Sequence, residues 1–219
     1  MNNILGLVFS FVFVFLMIGL STILQKKNVL NDEGARKFIH IGVANWWFFV
    51  IFMFDNMYYA IIPPIVFILL NYASYKMNLI KSMERNDKGN LGTVYFPISL
   101  LLLVIASFTF MDPIIAGLGI FILGYGDGFA AVFGKAYGKK KLINGKSIIG
   151  TVTMFVASLI VVFTMSLIGV SIPFIYTLLF SIIIAVVATV VELFTPKGLD
   201  NLSIPLSTSL LLWLLLLLL

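Results

Sequence analysis

Residues 124–151 read GYGDGFAAVFGKAYGKKKLINGKSIIGT, an apolar stretch that carries one carboxylate and runs directly into a loop rich in lysine and glycine. The residues before it, from Pro113 onward, are uncharged, so Asp127 sits inside a segment long enough to cross a membrane. An ionised Asp at such a position costs about 2.5 to 3.5 kcal/mol on insertion scales and marks a pathway or a reaction site. Asp127 is therefore the first candidate functional residue, and the fold that must hold it is a membrane fold.

The composition agrees. Of 219 residues, 61% are hydrophobic and 11% charged, with a mean hydropathy of +1.13, which excludes an ordinary soluble domain. The chain has no Cys and a single His, so a Cys/His zinc site, a disulfide framework and a catalytic thiol all lack their side chains. Any metal chemistry must use oxygen ligands. The net charge of +5 does not point to nucleic acid, because the basic residues lie in short loops between apolar runs.

Working outward from Asp127, runs able to span the hydrocarbon fall at about 4–24, 38–54, 57–75, 91–111, 113–134, 148–168, 172–195 and 202–219. The expected fold is all-α, a polytopic membrane helical bundle of about eight transmembrane helices forming a single integral-membrane domain over 1–219. All 14 basic residues fall in alternate loops: Lys26, Lys27, Arg36 and Lys37, then Lys76, Lys81, Arg85 and Lys88, then five lysines from Lys135 to Lys146, then Lys197. The positive-inside rule then places loops 25–40, 76–91, 135–150 and 195–203 in the cytoplasm and both termini outside. The first apolar run has no basic segment before it and no small-residue cleavage site, so it reads as a retained helix of a multi-pass cell-membrane protein.

Several constellations could carry chemistry. Gly124, Gly128, Ala131 and Lys135 recur at helical steps beside Asp127, giving a small-residue face that leads toward the cytoplasm. Asp127 lies roughly 10 Å inside the helix end near Gly134. A buried structural carboxylate bonded to another helix is the competing reading. The following loop sets Lys135, Lys139, Lys140, Lys141 and Lys146 among Gly134, Gly138 and Gly145, which suits a polyphosphate; a topogenic lysine cluster is the alternative. NGKS is not a P-loop, since Lys140 stands where its first glycine would be.

Further on, VELFTPKGLDNLSIPL puts Glu192, Asp200 and Asn201 on the same side of the membrane as the lysine loop. Magnesium on a nucleotide needs only one or two protein carboxylates, so Asp127, Glu192 and Asp200 would suffice if they meet; a simple turn with Glu192 pairing to Lys197 is the other reading. Arg36, Lys37 and His40 share a helical face that could touch phosphate, or His40 could be an interfacial anchor near Trp46 and Trp47. GNLGTVYFP at 89–97 by itself indicates only a flexible or kinked start to a helix.

GDGFAAVFGKAYGKKK, then GKSIIGT, then VE before LDNLSIPL, with RKFIH upstream and GTVYFP between, resembles the integral-membrane lipid-alcohol kinases, which include dolichol, phytol and farnesol kinases and the CTP-dependent diacylglycerol kinase. The resemblance runs from about Arg36 to Pro205. It implies phosphoryl transfer from CTP, or another nucleoside triphosphate, to the hydroxyl of a polyprenol, a phytol-like alcohol or diacylglycerol, with Mg2+. It further implies Asp127, Asp200 and Glu192 as catalytic residues, with Asp127 and Asp200 holding the metal. Lys135, Lys139, Lys146, Ser147, Thr151 and Asn201 would bind nucleotide and phosphate, and Arg36, Lys37 and His40 would line the membrane rim. Some dolichol kinase-type members have an acidic residue where this chain has Ile149, so the phytol or polyprenol branch is the closer likeness.

Two other functions fit parts of the pattern. A CDP-diacylglycerol synthase-like cytidylyltransferase also joins CTP to a membrane lipid, and would release pyrophosphate rather than CDP. A lipid transporter would equally account for intramembrane carboxylates, but leaves the glycines of the lysine loop unexplained.

Overall fold

The computed structural model describes residues 2–77 and 90–219. Every regular element among them is helical; one isolated bridge joins Lys141 to Ser147. The elements are α1 (Asn3–Lys26), α2 (Asp32–Ala44), α3 (Trp47–Met53), α4 (Met57–Ala60), α5 (Ile62–Met77), α6 (Gly92–Thr109), α7 (Pro113–Phe121), α8 (Gly128–Tyr137), α9 (Ile148–Gly169), α10 (Phe174–Phe194) and α11 (Asp200–Leu217). The expected helical membrane bundle is what forms. Lys81, Arg85 and Lys88 of the third basic loop lie outside the described residues.

Seven stretches among the described residues are long and apolar enough to cross a membrane, α4–α5 and α7–α8 each counting as one. The eighth expected span, 38–54, is not one continuous helix but the pair α2 and α3, broken at Asn45 and Trp46. The break is chemically supported: the Asn45 side-chain amide donates back to the Ile41 and Gly42 carbonyls at 3.0 and 3.3 Å, satisfying acceptors near the interruption. Trp46 and Trp47 are 2% and 0% exposed, so they are core residues rather than interfacial anchors. Their indole N–H groups donate to Ser10 Oγ at 2.7 Å and to the Pro113 carbonyl at 2.8 Å.

The pair nevertheless crosses the same depth as α1. Gln25, at the end of α1, donates to Asp32 at the start of α2 (2.8 Å), and Asn3, at the start of α1, donates to Asp55 just past α3 (2.5 Å). Contacts at both ends set the pair antiparallel to α1 along its length. Counted with the seven spans, the pair gives eight helical runs among the described residues.

At the centre lies α7, apolar on every side and buried throughout Ile115–Phe121, as a helix surrounded by other helices must be. It continues into a π-helical turn, Ile122–Asp127, before α8 begins. Such turns admit one extra residue into a helix and recur at functional sites. Here the turn ends on Asp127.

Glycines set the packing around it. A Cβ on Gly124 would strike Ala44 and one on Gly128 would strike Ile41, both of α2, whereas a Cβ on Gly126 would meet Ser158 and Met154 of α9. The three glycines thus let α2 and α9 close on the turn from opposite sides, and α2 brings Lys37 and His40 with it.

Candidate active site

Asp127 is 3% exposed and forms an ion pair with Lys37, itself 7% exposed. His40 Nε2 stands 3.5 Å from the same carboxylate oxygen and 3.2 Å from the Leu123 carbonyl, a group near the π turn's start. Lys37 and His40 are therefore deeper than rim positions: one turn apart on α2, they face the intramembrane carboxylate directly. Arg36 lines the same cavity and pairs with Glu33 in the preceding turn.

A second ionic group lines the same cavity. Lys146 pairs with Glu192 of α10 and stands 3.5 Å from Asp200 Oδ2 at the start of α11. Burial alone would push the Lys146 pKa down, but the charges of Asp127, Glu192 and Asp200 outweigh it and hold the ammonium above the ordinary lysine range. Glu192 is 3% exposed, and its second oxygen, Oε2, is buried with no hydrogen-bond partner. The Asn144 side chain donates to the Leu193 carbonyl at 3.1 Å and so ties the lysine loop to the end of α10.

The remaining sequence-derived residues divide. Lys135, Ser147 and Asn201 line the same cavity, whereas Lys139 is exposed outside it and Thr151 is not on its wall. Ser147 joins two helices: its Oγ accepts from the Gly150 amide at 3.1 Å, capping α9, and donates to the Gly134 carbonyl of α8 at 3.2 Å. Gly134, Gly138 and Gly150 leave the room that this close join of α8 to α9 requires.

The start of α6 contributes residues that sequence reasoning passed over. Pro97 lacks the N–H that the Thr93 carbonyl would accept in a regular helix, and the Asn71 side chain of α5 supplies a donor there at 2.7 Å. Asn90 accepts from the Gly92 amide at 3.1 Å, and Asn201 donates to the Gly198 carbonyl at 3.0 Å. Lys197 and Gly198 both have positive φ, turning the chain sharply between α10 and α11. A Cβ on Gly198 would come within 2.7 Å of Gly92 Cα, so the two backbones touch and the NLGT and GLDN segments meet. The signal was one asparagine near a glycine in each segment, but no local pattern says that they meet.

All of these surfaces enclose one cavity of about 680 Å³. Asp127, Lys37 and His40 line it together with Lys146, Glu192 and Asp200. Lys135 and Lys141 line it toward the loop; Val14, Phe67 and Leu100 line it toward the interior. The three carboxylates therefore meet around one space. Among the described residues no three His, Asp or Glu side chains come together as a metal-binding group. Magnesium carried by a nucleotide fits this donor set, since it takes one or two protein carboxylates and draws its other ligands from phosphate and water.

The fold and cavity define a polytopic membrane protein with charged groups gathered at an internal site that is polar at one end and apolar at the other. The chain is similar to a phytol kinase of Synechocystis, 30% identical over 87% of this chain and 83% of the relative. It is also 31% identical to a probable chloroplastic phytol kinase of rice, over 85% of this chain and 66% of that protein, and 28% identical to a probable chloroplastic phytol kinase of wheat, over 88% of this chain and 70% of that protein. No protein-family model matches the chain, and no solved structure does. The chain belongs to the phytol kinase family, membrane enzymes that phosphorylate the hydroxyl of a lipid alcohol.

Proposed function

We propose that this enzyme transfers the γ-phosphoryl group of CTP, or of another nucleoside triphosphate, to a long-chain isoprenoid alcohol of the phytol or polyprenol type. The observation that carries this reading is the single cavity flanked by the Asp127–Lys37–His40 and Lys146–Glu192–Asp200 groups. The face bearing the lysine loop is the cytoplasmic one, with both termini opposite, so nucleotide arrives from the cytoplasm and alcohol from the bilayer.

In the transfer, the alcohol oxygen forms a bond to the γ-phosphorus while the bond to the β–γ bridging oxygen breaks, and the nucleoside diphosphate leaves. The hydroxyl proton passes to Asp127 or to His40 beside it. Lys146, with Lys135 and Lys141 nearer the loop, neutralises the triphosphate and positions it; Asn201 and Asp200 fix its other side. Asp127 and Asp200 are the residues that would hold Mg2+, which supplies charge neutralisation to the phosphate oxygens. Such transfer depends on position and charge more than on covalent chemistry, and a desolvated lysine and carboxylate set provides both.

The test is transfer from γ-labelled CTP and ATP, with magnesium, to a panel of phytol, farnesol, undecaprenol and diacylglycerol by the purified protein. Label in an isoprenoid phosphate, with CDP formed from CTP, supports the reading and names the donor. Label entering lipid from α-labelled CTP with release of pyrophosphate would overturn it in favour of cytidylyl transfer.

A further inference from the structure

The cavity does not end at its charges. Past His40 the wall becomes apolar, with Val14 of α1, Val43 of α2, Phe67 of α5 and Leu100 of α6. The same four side chains also line a second, smaller hollow that ends on Trp46 and the Pro63–Pro64 pair. The two voids share four wall residues, and the second, of about 10 Å³, is a narrow foot to the apolar end of the first. From Thr93, at the polar end, to Leu100 is seven residues of α6, or about 10 Å of depth. The only polar atom of the foot's side chains, Trp46 Nε1, is engaged by Ser10. Where the wall changes character, the His40 ring packs on Phe96 with centroids 5.1 Å apart.

Phe67 belongs to two surfaces. It lines both voids, and its ring also meets Phe11 and Phe15 of α1 at centroid distances of 5.8 and 6.1 Å. Phe15 is 54% exposed on the outside of the bundle, where the surface faces hydrocarbon. Phe67 thus links the apolar wall of the cavity to the exposed aromatic surface of α1.

We propose that the cavity and its foot form a channel that seats the hydrocarbon chain of the acceptor, which passes from the bilayer between α1 and α5 beside Phe67, lies against Val14, Val43 and Leu100, and leaves its hydroxyl at Asp127 and His40. The inference deepens the lipid-alcohol reading and rests on it. The occupant follows from the continuity of the two ends: a ligand that fills both needs a polar head and a long apolar tail. Trp46, fixed by its bond to Ser10, closes the foot and limits how much chain is enclosed.

The direct test is photolabelling of the full-length wild-type protein in nanodiscs with a long-chain isoprenoid alcohol bearing a diazirine in its tail, followed by peptide mapping. Label is expected on the segments carrying Val14, Val43, Phe67 and Leu100, and excess phytol is expected to displace it. Label confined to the outward faces of α9 and α10 overturns the proposal. As a second arm, Leu100→Trp narrows the channel and is expected to shift preference from phytol toward a short allylic alcohol by about tenfold or more. A folded, nucleotide-binding Leu100→Trp protein with unchanged preference also overturns it. If the variant does not fold, the wild-type labelling decides alone. Displaceable label in the channel without phosphate transfer to any alcohol would uphold the channel and defeat the kinase chemistry, so the two failures are distinguishable.

Discussion

The two charged regions of this molecule, the α2–π turn contact at Asp127 and the lysine loop at 135–147, have similar claims to function in the sequence and very different surroundings in the structure. Around Asp127 the opposing charges are buried and paired, with Lys37 and His40 pressed against the carboxylate by glycines 124 and 128. In the loop, Lys139 and Lys140 are exposed, and Lys146 is the lysine that reaches the interior carboxylates. A lysine cluster in a membrane protein thus combines two kinds of charge: those exposed at the surface, and those that line the site, of which Lys146 alone pairs with its carboxylates. Burial and partners, rather than residue type, tell them apart.

That contrast can be broken or sharpened by substitution. The largest effect is expected at Asp127: Asp127→Asn, of similar shape but without the charge, lowers phosphoryl transfer by about 10²- to 10⁴-fold, measured as labelled lipid formed per unit of membrane-inserted protein. Next comes the partner. Lys37→Met removes the ammonium that pairs with buried Asp127, a loss of about 3–5 kcal/mol by thermal or denaturant unfolding in detergent. The double variant Lys37→Met/Asp127→Asn recovers a large part of that stability without recovering transfer; additive losses would show that the two groups do not form a pair.

Gly128→Val presses a side chain against Ile41 and is expected to cost about 1–3 kcal/mol, with transfer falling because α2 is displaced from Asp127. Lys146 gives a pH test. Its pKa is raised in the folded protein, so the stability from its pairing is fully present below the ordinary lysine pKa and is lost only as pH rises through the raised one. Unfolding midpoints therefore show no loss from this group between about pH 7 and 10, whereas Lys146→Met weakens nucleotide binding throughout that range. The smallest effect is at the loop's surface: Lys139→Ala and Lys140→Ala change stability by less than about 0.5 kcal/mol and leave transfer near the wild-type level. A large fall in either would place these exposed lysines in the site and erase the contrast.

Much of the fold was legible because hydropathy and loop charge are strong signals in a membrane chain: the helical bundle and seven of its spans follow from run length alone. The second span's interruption was not, since it depends on Asn45 turning back on its own helix and on two tryptophans finding partners in α1 and at the start of α7. Asp127 was legible from its cost in hydrocarbon. Its partner was not, because Lys37 is 90 residues away in sequence and arrives only through glycine-mediated packing. At the start of α6 the sequence indicates no more than a kink; the Pro97–Asn71 compensation bears on that kink, while the contact of Gly92 with Gly198 makes the segment part of the site. Ser147 illustrates the reverse: a phosphate-like GKS segment in which the serine hydroxyl is engaged in joining two helices.

The most direct test of kinase chemistry at Asp127 is a parallel assay of wild type, Asp127→Asn and Lys139→Ala in nanodiscs, with magnesium, γ-labelled CTP and phytol, each sample checked for folding by its unfolding midpoint. Labelled phytyl phosphate is expected from wild type and Lys139→Ala, and almost none from Asp127→Asn. Full transfer by a well-folded Asp127→Asn protein would contradict the assignment.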